Sequence, residues 1–311
     1  MIKGKTIVQD NGGIRLDAAL LMAFPSSSRS FIRDAVEDGR ILVNGKKTHK
    51  GLKLRSGDRV QISELLEKDD NTVQRVSGPK PEIVFEDDFL IAIDKPAGIP
   101  VQPLSCRETG TLMNRVVAHY PECQNIGDRP LMAGALHRID ADTSGLVLVA
   151  RSQEAFEGLR RQFTDQSVEK TYLALVEGSF AAGGTLENDL VHDPTLPYCR
   201  MIDKNSRNAR SAGTGIGRTF HAVTKYRPIQ HMTVENEERT LLEVTIFTGV
   251  THQIRAQLAI AGMHIINDRL YGAFAVENQV GHCLHALAAK FRHPQSGDAM
   301  EIRTALPPWA Q

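Results

Sequence analysis

Residues 145–150 read GLVLVA, an apolar run made for burial, and the eight residues before it read HRIDADTS. A buried charge without a partner is costly. The junction is therefore either a polar loop capping a strand or the wall of a site. Comparable runs recur in IVFEDDFLIAIDKPAG, KTYLALVEG, FHAVTKYRPI and TLLEVTIFTG, all rich in β-branched and aromatic residues and bounded by turn signals. Helical stretches such as EAFEGLRRQF and THQIRAQLAIAG lie between them, without the regular βαβ alternation of a doubly wound sheet. The expected class is α+β, a mixed and mostly antiparallel sheet with flanking helices.

At 311 residues the chain suggests two domains. Its formal charge is zero, but residues 1–62 carry twelve Lys or Arg against six Asp or Glu, so the N-terminal part is basic and the remainder acidic. In SSSRSFIRDAVEDGR, Ser28 is placed to cap a helix, Phe31, Ile32, Ala35 and Val36 follow helical spacing, and Gly39 supplies a stop. Asn44-Gly45 then signals a hairpin, and DRVQI a closing strand. This gives a small α/β domain over 1–63, a polar linker over 64–81 ending in Gly and Pro, and a larger domain over 82–311. Residues 203–220, small, polar and basic, read as a mobile surface loop. The N-terminus has no apolar signal region and no stretch approaches the ~18 apolar residues of a membrane span. Cys106, Cys123, Cys199 and Cys283 are scattered without a CxxC pair, which argues against a zinc site and for a reducing, cytoplasmic setting.

Three groups of residues could carry chemistry. Arg29 and Arg33, four apart on one helical face, with Lys46 and Lys47 after the hairpin turn, form either a phosphate-binding patch or a solvated charged face. If the chain is extended through Asp140 and Asp142, both carboxylates project to one side, as an acid–base pair would require. The alternative is a hydrogen-bonded turn through Asp142, Thr143 and Ser144 with Asp140 solvated. In TGVTHQIRAQLAIAG, Thr251 is placed to cap a helix, Ile254, Leu258 and Ala261 form its apolar stripe, and Gly262 ends it. Arg255 sits near the start of that helix, where a cation gains nothing from the dipole, so either a specific carboxylate holds it or it is a surface Arg with a snorkelling stem.

Two resemblances connect these groups. LDAALLMAFPSSSRSFIRDAVEDGRILVNGKK followed by GDRVQI resembles the S4 RNA-binding domain. HRIDADTSGLVLVA resembles the His-Arg-Leu-Asp-x-x-Thr-Ser-Gly signature of the RluA-type pseudouridine synthases, with Ile139 in place of Leu, and IAIDKPAGIPVQP, KTYLALVEG, THQIRAQLAIAG, NDRLYG and LHALAAKFRHPQSGD match further blocks of that family in order. The resemblance implies the pseudouridine synthase fold and an isomerase that breaks the uracil N1 to ribose C1′ bond, turns the base and rejoins it through C5, with no cofactor and no metal. It implies Asp140 as the catalytic aspartate, acting on C1′ or on the 2′ proton, Arg255 as the cation that holds it ionised and oriented, Tyr172 beside the base and Arg138 as the residue that displaces the target from its helix. His137, His252 and His285 are expected to make structural hydrogen bonds. The implied partner is RNA, ribosomal first and transfer RNA second, with no membrane and a monomeric chain. Val250 stands where the family pattern has Arg, Met263 where it has His, and Asn267 where it has Gly, which leaves target choice open. Two other readings remain: an RNA-binding assembly factor or chaperone without catalysis, and a glycoside-type hydrolase that depends on Asp142.

Overall fold

The computed structural model describes residues 1–10, 12–196, 199–211, 217–234, 236–272 and 279–311. The chain divides into two compact units, Met1–Thr72 and Val73–Gln311.

The first unit holds β1 (Ile2–Val8), α1 (Leu16–Ala23), α2 (Arg29–Glu37), β2 (Ile41–Val43), β3 (Lys46–Lys47) and β4 (Arg59–Leu65). The strands form an antiparallel sheet in the order β1-β4-β2-β3. Leu16, Leu20, Ile32, Val36, Ile41 and Ile62 make its core. The backbone N–H of Phe31 donates to Ser28 Oγ at 3.2 Å, which caps α2. Gly39, at φ +72°, ends it: the N–H groups of Gly39 and Arg40 return to the carbonyls of Val36 and Ala35, and this left-handed stop is one glycine adopts without strain. Asn44 and Gly45 both have positive φ, the geometry a two-residue hairpin turn needs.

The segment expected to link the domains is shared between the units. Leu65 and Leu66 are buried, and Ser27 Oγ donates to the Leu66 carbonyl at 2.7 Å. Val73 is buried in the core of the second unit, where its carbonyl accepts from Gln124 Nε2.

The second unit comprises β5 (Glu82–Glu86), β6 (Leu90–Lys95), α3 (Leu112–His119), β7 (Ser144–Ala150), α4 (Gln153–Thr164), β8 (Glu169–Glu177), β9 (Gly184–His192), β10 (Met201–Asp203), α5 (Arg207–Ser211), β11 (Phe220–Val234), β12 (Glu237–Ile246), α6 (Gln253–Ile260), β13 (Leu284–Arg292) and β14 (Ala299–Arg303). Its strands run in the order β10-β9-β11-β12-β8-β13-β7-β6-β5, with β14 on β13. Among the described residues only β13 and β7 pair in parallel; the other pairs in this sheet are antiparallel. The expected mixed, mostly antiparallel α+β sheet is present. The GLVLVA run is the interior of β7, buried along its length, as a central strand must be. Its entry point, Gly145, has φ +108°, and a Cβ there would strike the backbone of Ala286 on β13. Glycine is therefore required where the two strands come together.

Three local expectations need correction. Residues 203–220 are not one loop: Asp203 ends β10, 207–211 form the short α5 with Ala209 buried, and 212–216 lie outside the described residues. The N-cap of α6 is His252, not Thr251, because residues 250–253 form a turn, closed by the Gln253 N–H on the Val250 carbonyl at 3.1 Å, that leaves Thr251 outside the helix. Ala261 is exposed and α6 is buried on several sides, with Gln253 and Gln257 hydrogen-bonded to β11 and, for Gln257, to β9. Those glutamines anchor the helix on the sheet and fix the direction of Arg255 between them.

Candidate active site

Ahead of β7 the chain turns through Asp140–Thr143, closed by the Thr143 N–H on the Asp140 carbonyl at 3.1 Å. The stretch is a turn and not an extended strand, so Asp140 and Asp142 do not share a face; Asp142 is exposed. Several groups hold the turn. The fully buried Lys95 ammonium donates to the carbonyls of Ala141, Pro96 and Ile99 at 2.9, 2.8 and 2.8 Å. Three N–H bonds match three carbonyls, which satisfies the buried charge. Thr143 Oγ1 and His282 Nε2 lie 2.7 Å apart, and Gly281 sits against the Asp142 carbonyl.

Arg255 reaches this turn from α6. Its Nη1 donates to Asp140 Oδ2 at 2.6 Å, while Nε and Nη2 form a bidentate pair with Asp268 at 2.7 and 2.9 Å. The Arg255 side chain is 8% exposed and that of Asp268 1%, whereas Asp140 keeps 26% of its side chain accessible. Burial alone would raise the Asp268 pKa, but hydrogen bonds and charge from Arg255 outweigh it and hold the carboxyl below its ordinary range. Arg255 is thus clamped between a structural carboxylate and an accessible one.

Asp140, Arg255, Tyr172 and Arg138 all line one cavity of about 870 Å³. Tyr172, on β8 between Ala286 and Val244, is almost buried; burial first, then the Asp140 charge, push its phenol above the ordinary value. Arg138 is exposed. Val250 also lines the cavity and packs against the buried cluster of Leu190, Met201, Ala222, Ala256 and Tyr271, an apolar contact where the family pattern has a cation. Arg29, Arg33, Lys46 and Lys47 belong to the first unit and do not line this cavity. All four are exposed; Arg33 pairs with Asp34 at 3.0 Å, and the Lys47 stem lies near Gly39 at the end of α2.

His137 and His285 have the structural roles expected of them. His137 Nε2 accepts from the Leu148 N–H at 3.1 Å and stacks on Phe163, and burial pushes its pKa down to about 3. His285 lies between Ser144 Oγ and Thr304 Oγ1. Residue-level reasoning missed Asp268 and Lys95 as parts of the site. Lys95 carried a signal, since a lysine ending the apolar run LIAID must find partners; Asp268 carried none beyond its place in a matched block.

Comparison with known proteins agrees with this architecture. The model of the RNA pseudouridylate synthase family matches residues 89–260, and that of the S4 domain matches 14–60. The ribosomal large subunit pseudouridine synthase D of Nitrosomonas europaea is 32% identical, over 97% of this chain and 84% of that protein. An uncharacterized RNA pseudouridine synthase of Aquifex aeolicus is 33% identical over 92% and 88%. The human RNA pseudouridylate synthase domain containing 1 structure shares the fold, with a TM-score of 0.58 at 21% identity, over 75% of this chain and 86% of that one. These matches put an S4 unit ahead of an α+β unit of the RNA-modifying isomerase class. The chain belongs to the RNA pseudouridylate synthase family. Among the described residues no helix is long and apolar enough to cross a membrane.

Proposed function

We propose that this protein converts a uridine of ribosomal RNA to pseudouridine with Asp140 as the reacting carboxylate. One observation carries the reading: Asp140 is the accessible member of a buried Asp–Arg–Asp chain at the wall of a cavity, paired through Oδ2 to Arg255. A carboxylate so fixed is oriented before substrate arrives, which is what acting on C1′ or on the 2′ proton requires. Tyr172 faces the same space as a neutral phenol, which suits contact with the uracil more than proton acceptance. Exposed Arg138 on the cavity wall suits the displacement of a base that cannot be reached inside a duplex. The S4 unit, with Arg29, Arg33, Lys46 and Lys47 exposed, supplies affinity and not chemistry. Ribosomal RNA is the favoured target because the Nitrosomonas relative carries that substrate in its name.

The test is to incubate wild-type and Asp140→Ala protein with unmodified ribosomal and transfer RNA and map pseudouridine by chemical labelling and primer extension. Stops on ribosomal RNA with the wild type alone support the proposal. Stops confined to transfer RNA move the target, release of free uracil or dependence on Asp142 supports a hydrolase, and RNA binding without stops supports an assembly factor.

A further inference from the structure

His252 precedes α6 at φ 53° and ψ 21°, in the left-handed region, and its side chain caps nothing. A non-glycine residue held there is strained, and such strain persists where the surroundings require a particular side-chain placement. The imidazole lines the same cavity as Asp140. Its contacts favour one placement of its proton. The Met201 N–H donates to the Tyr271 phenol oxygen at 2.8 Å, so the phenol hydrogen is free for another acceptor, and His252 Nδ1 lies 3.2 Å away. An accepting Nδ1 leaves the ring proton on Nε2. That nitrogen faces Asp140 Oδ2 at 3.8 Å, the oxygen already held by Arg255. No hydrogen-bond donor occupies Asp140 Oδ1 among the described residues. The charged and titratable groups facing the ring are Asp140, Arg255, Asp268 and His192; burial dominates them and disfavours a second ring proton.

We propose that His252 is a positioning residue for Asp140: as the Nε2–H tautomer set by the Met201–Tyr271 relay, it joins Arg255 on Oδ2 and presents Oδ1 to the ribose. This rests on Asp140 being the reacting carboxylate. The separation of 3.8 Å shortens to a hydrogen bond in the reacting complex, where catalytic contacts tighten. The assignment goes beyond the structural role that the sequence suggests for this histidine.

The experiment compares His252→Ala and His252→Gln with wild type on a ribosomal RNA transcript labelled with tritium at uridine C5, whose release reports isomerisation. His252→Ala lowers the single-turnover rate about ten- to a hundredfold, with the Kd for RNA unchanged within about twofold, because a small misplacement of a reacting group costs rate and not affinity. His252→Gln, whose amide N–H reaches toward the same oxygen, recovers most of the rate. An Ala variant as fast as wild type, or a folded Gln variant as slow as Ala, overturns the proposal. Histidine-selective ¹⁵N NMR tests the tautomer without any activity: the Nε2–H form is expected in wild type and a tautomer mixture in Tyr271→Phe, and an Nδ1–H or doubly protonated ring in wild type overturns the relay. A wild type that releases no tritium and forms no pseudouridine contradicts the reading of Asp140, and the NMR result still decides the tautomer.

Discussion

Replacing Asp268 by Asn removes one charge from the Asp–Arg–Asp chain with almost no change of shape. The wild-type carboxylate gives Arg255 two charge-assisted bonds, at 2.7 and 2.9 Å, and also accepts from the Leu270 N–H at 3.1 Å. The amide offers one oxygen for these donors and turns an NH₂ toward the guanidinium, so Arg255 loses a partner while remaining buried. Breaking a buried pair from one side costs about 3–5 kcal/mol, and the polar amide places this case near about 3. For a unit of this size that is a fall in Tm of roughly 6–12 °C. The sign of the pH dependence follows from the depressed pKa of Asp268. A carboxyl held below its unfolded value of 3.8 adds stability that is complete above that pH and is lost as the pH falls through the folded value. Thermal melts of the two proteins should therefore differ most at neutral pH and converge in acid below about 3.8. With one of its two anchors weakened, Arg255 orients Asp140 less well, and the single-turnover rate should fall about ten- to a hundredfold while RNA binding holds. A variant with an unchanged melting curve at neutral pH would refute the claim that this ion pair supports the site.

Two further substitutions test other parts of the structure. Neutralising Arg29, Arg33 and Lys46 together should weaken RNA binding and flatten its salt dependence, by roughly 0.7–0.9 in log–log slope for each phosphate that is no longer neutralised; an unchanged slope in a filter-binding titration would make the patch only a solvated face. Gly145→Ala places a Cβ against the Ala286 backbone at a positive φ, where neither strand can yield. It should cost at least about 3 kcal/mol in chemical denaturation, and a variant as stable as wild type would contradict the close β7–β13 approach.

What was legible in the sequence was local. Ser28, Gly39 and Asn44-Gly45 act through bonds to residues a few positions away, so helix, stop and hairpin could be read directly. The long apolar strands were equally clear. The elements that escaped were exposed or short, such as IKGKTIV in β1, largely exposed, and LMNRVVAH in α3, whose eight residues are held by a capping box between Thr111 and Asn114. The site was half legible. The motif blocks named Asp140, Tyr172 and Arg255, and the poor dipole position of Arg255 left a carboxylate partner as one of two readings. The Arg255–Asp140 pair spans 115 positions and the Arg255–Asp268 pair is set by tertiary folding, so neither contact could come from spacing. The paired-carboxylate alternative failed because it needed extended backbone, and the Thr143-to-Asp140 bond makes a turn.

The central claim is that Asp140 performs the chemistry. Asp140→Asn preserves the side chain's size and an acceptor for Arg255 while removing the carboxylate. Measured together on one ribosomal RNA transcript, tritium release from uridine C5 should fall to background while the Kd for RNA stays at the wild-type value. Pseudouridine formed at a rate near wild type by the folded Asn variant would contradict the account.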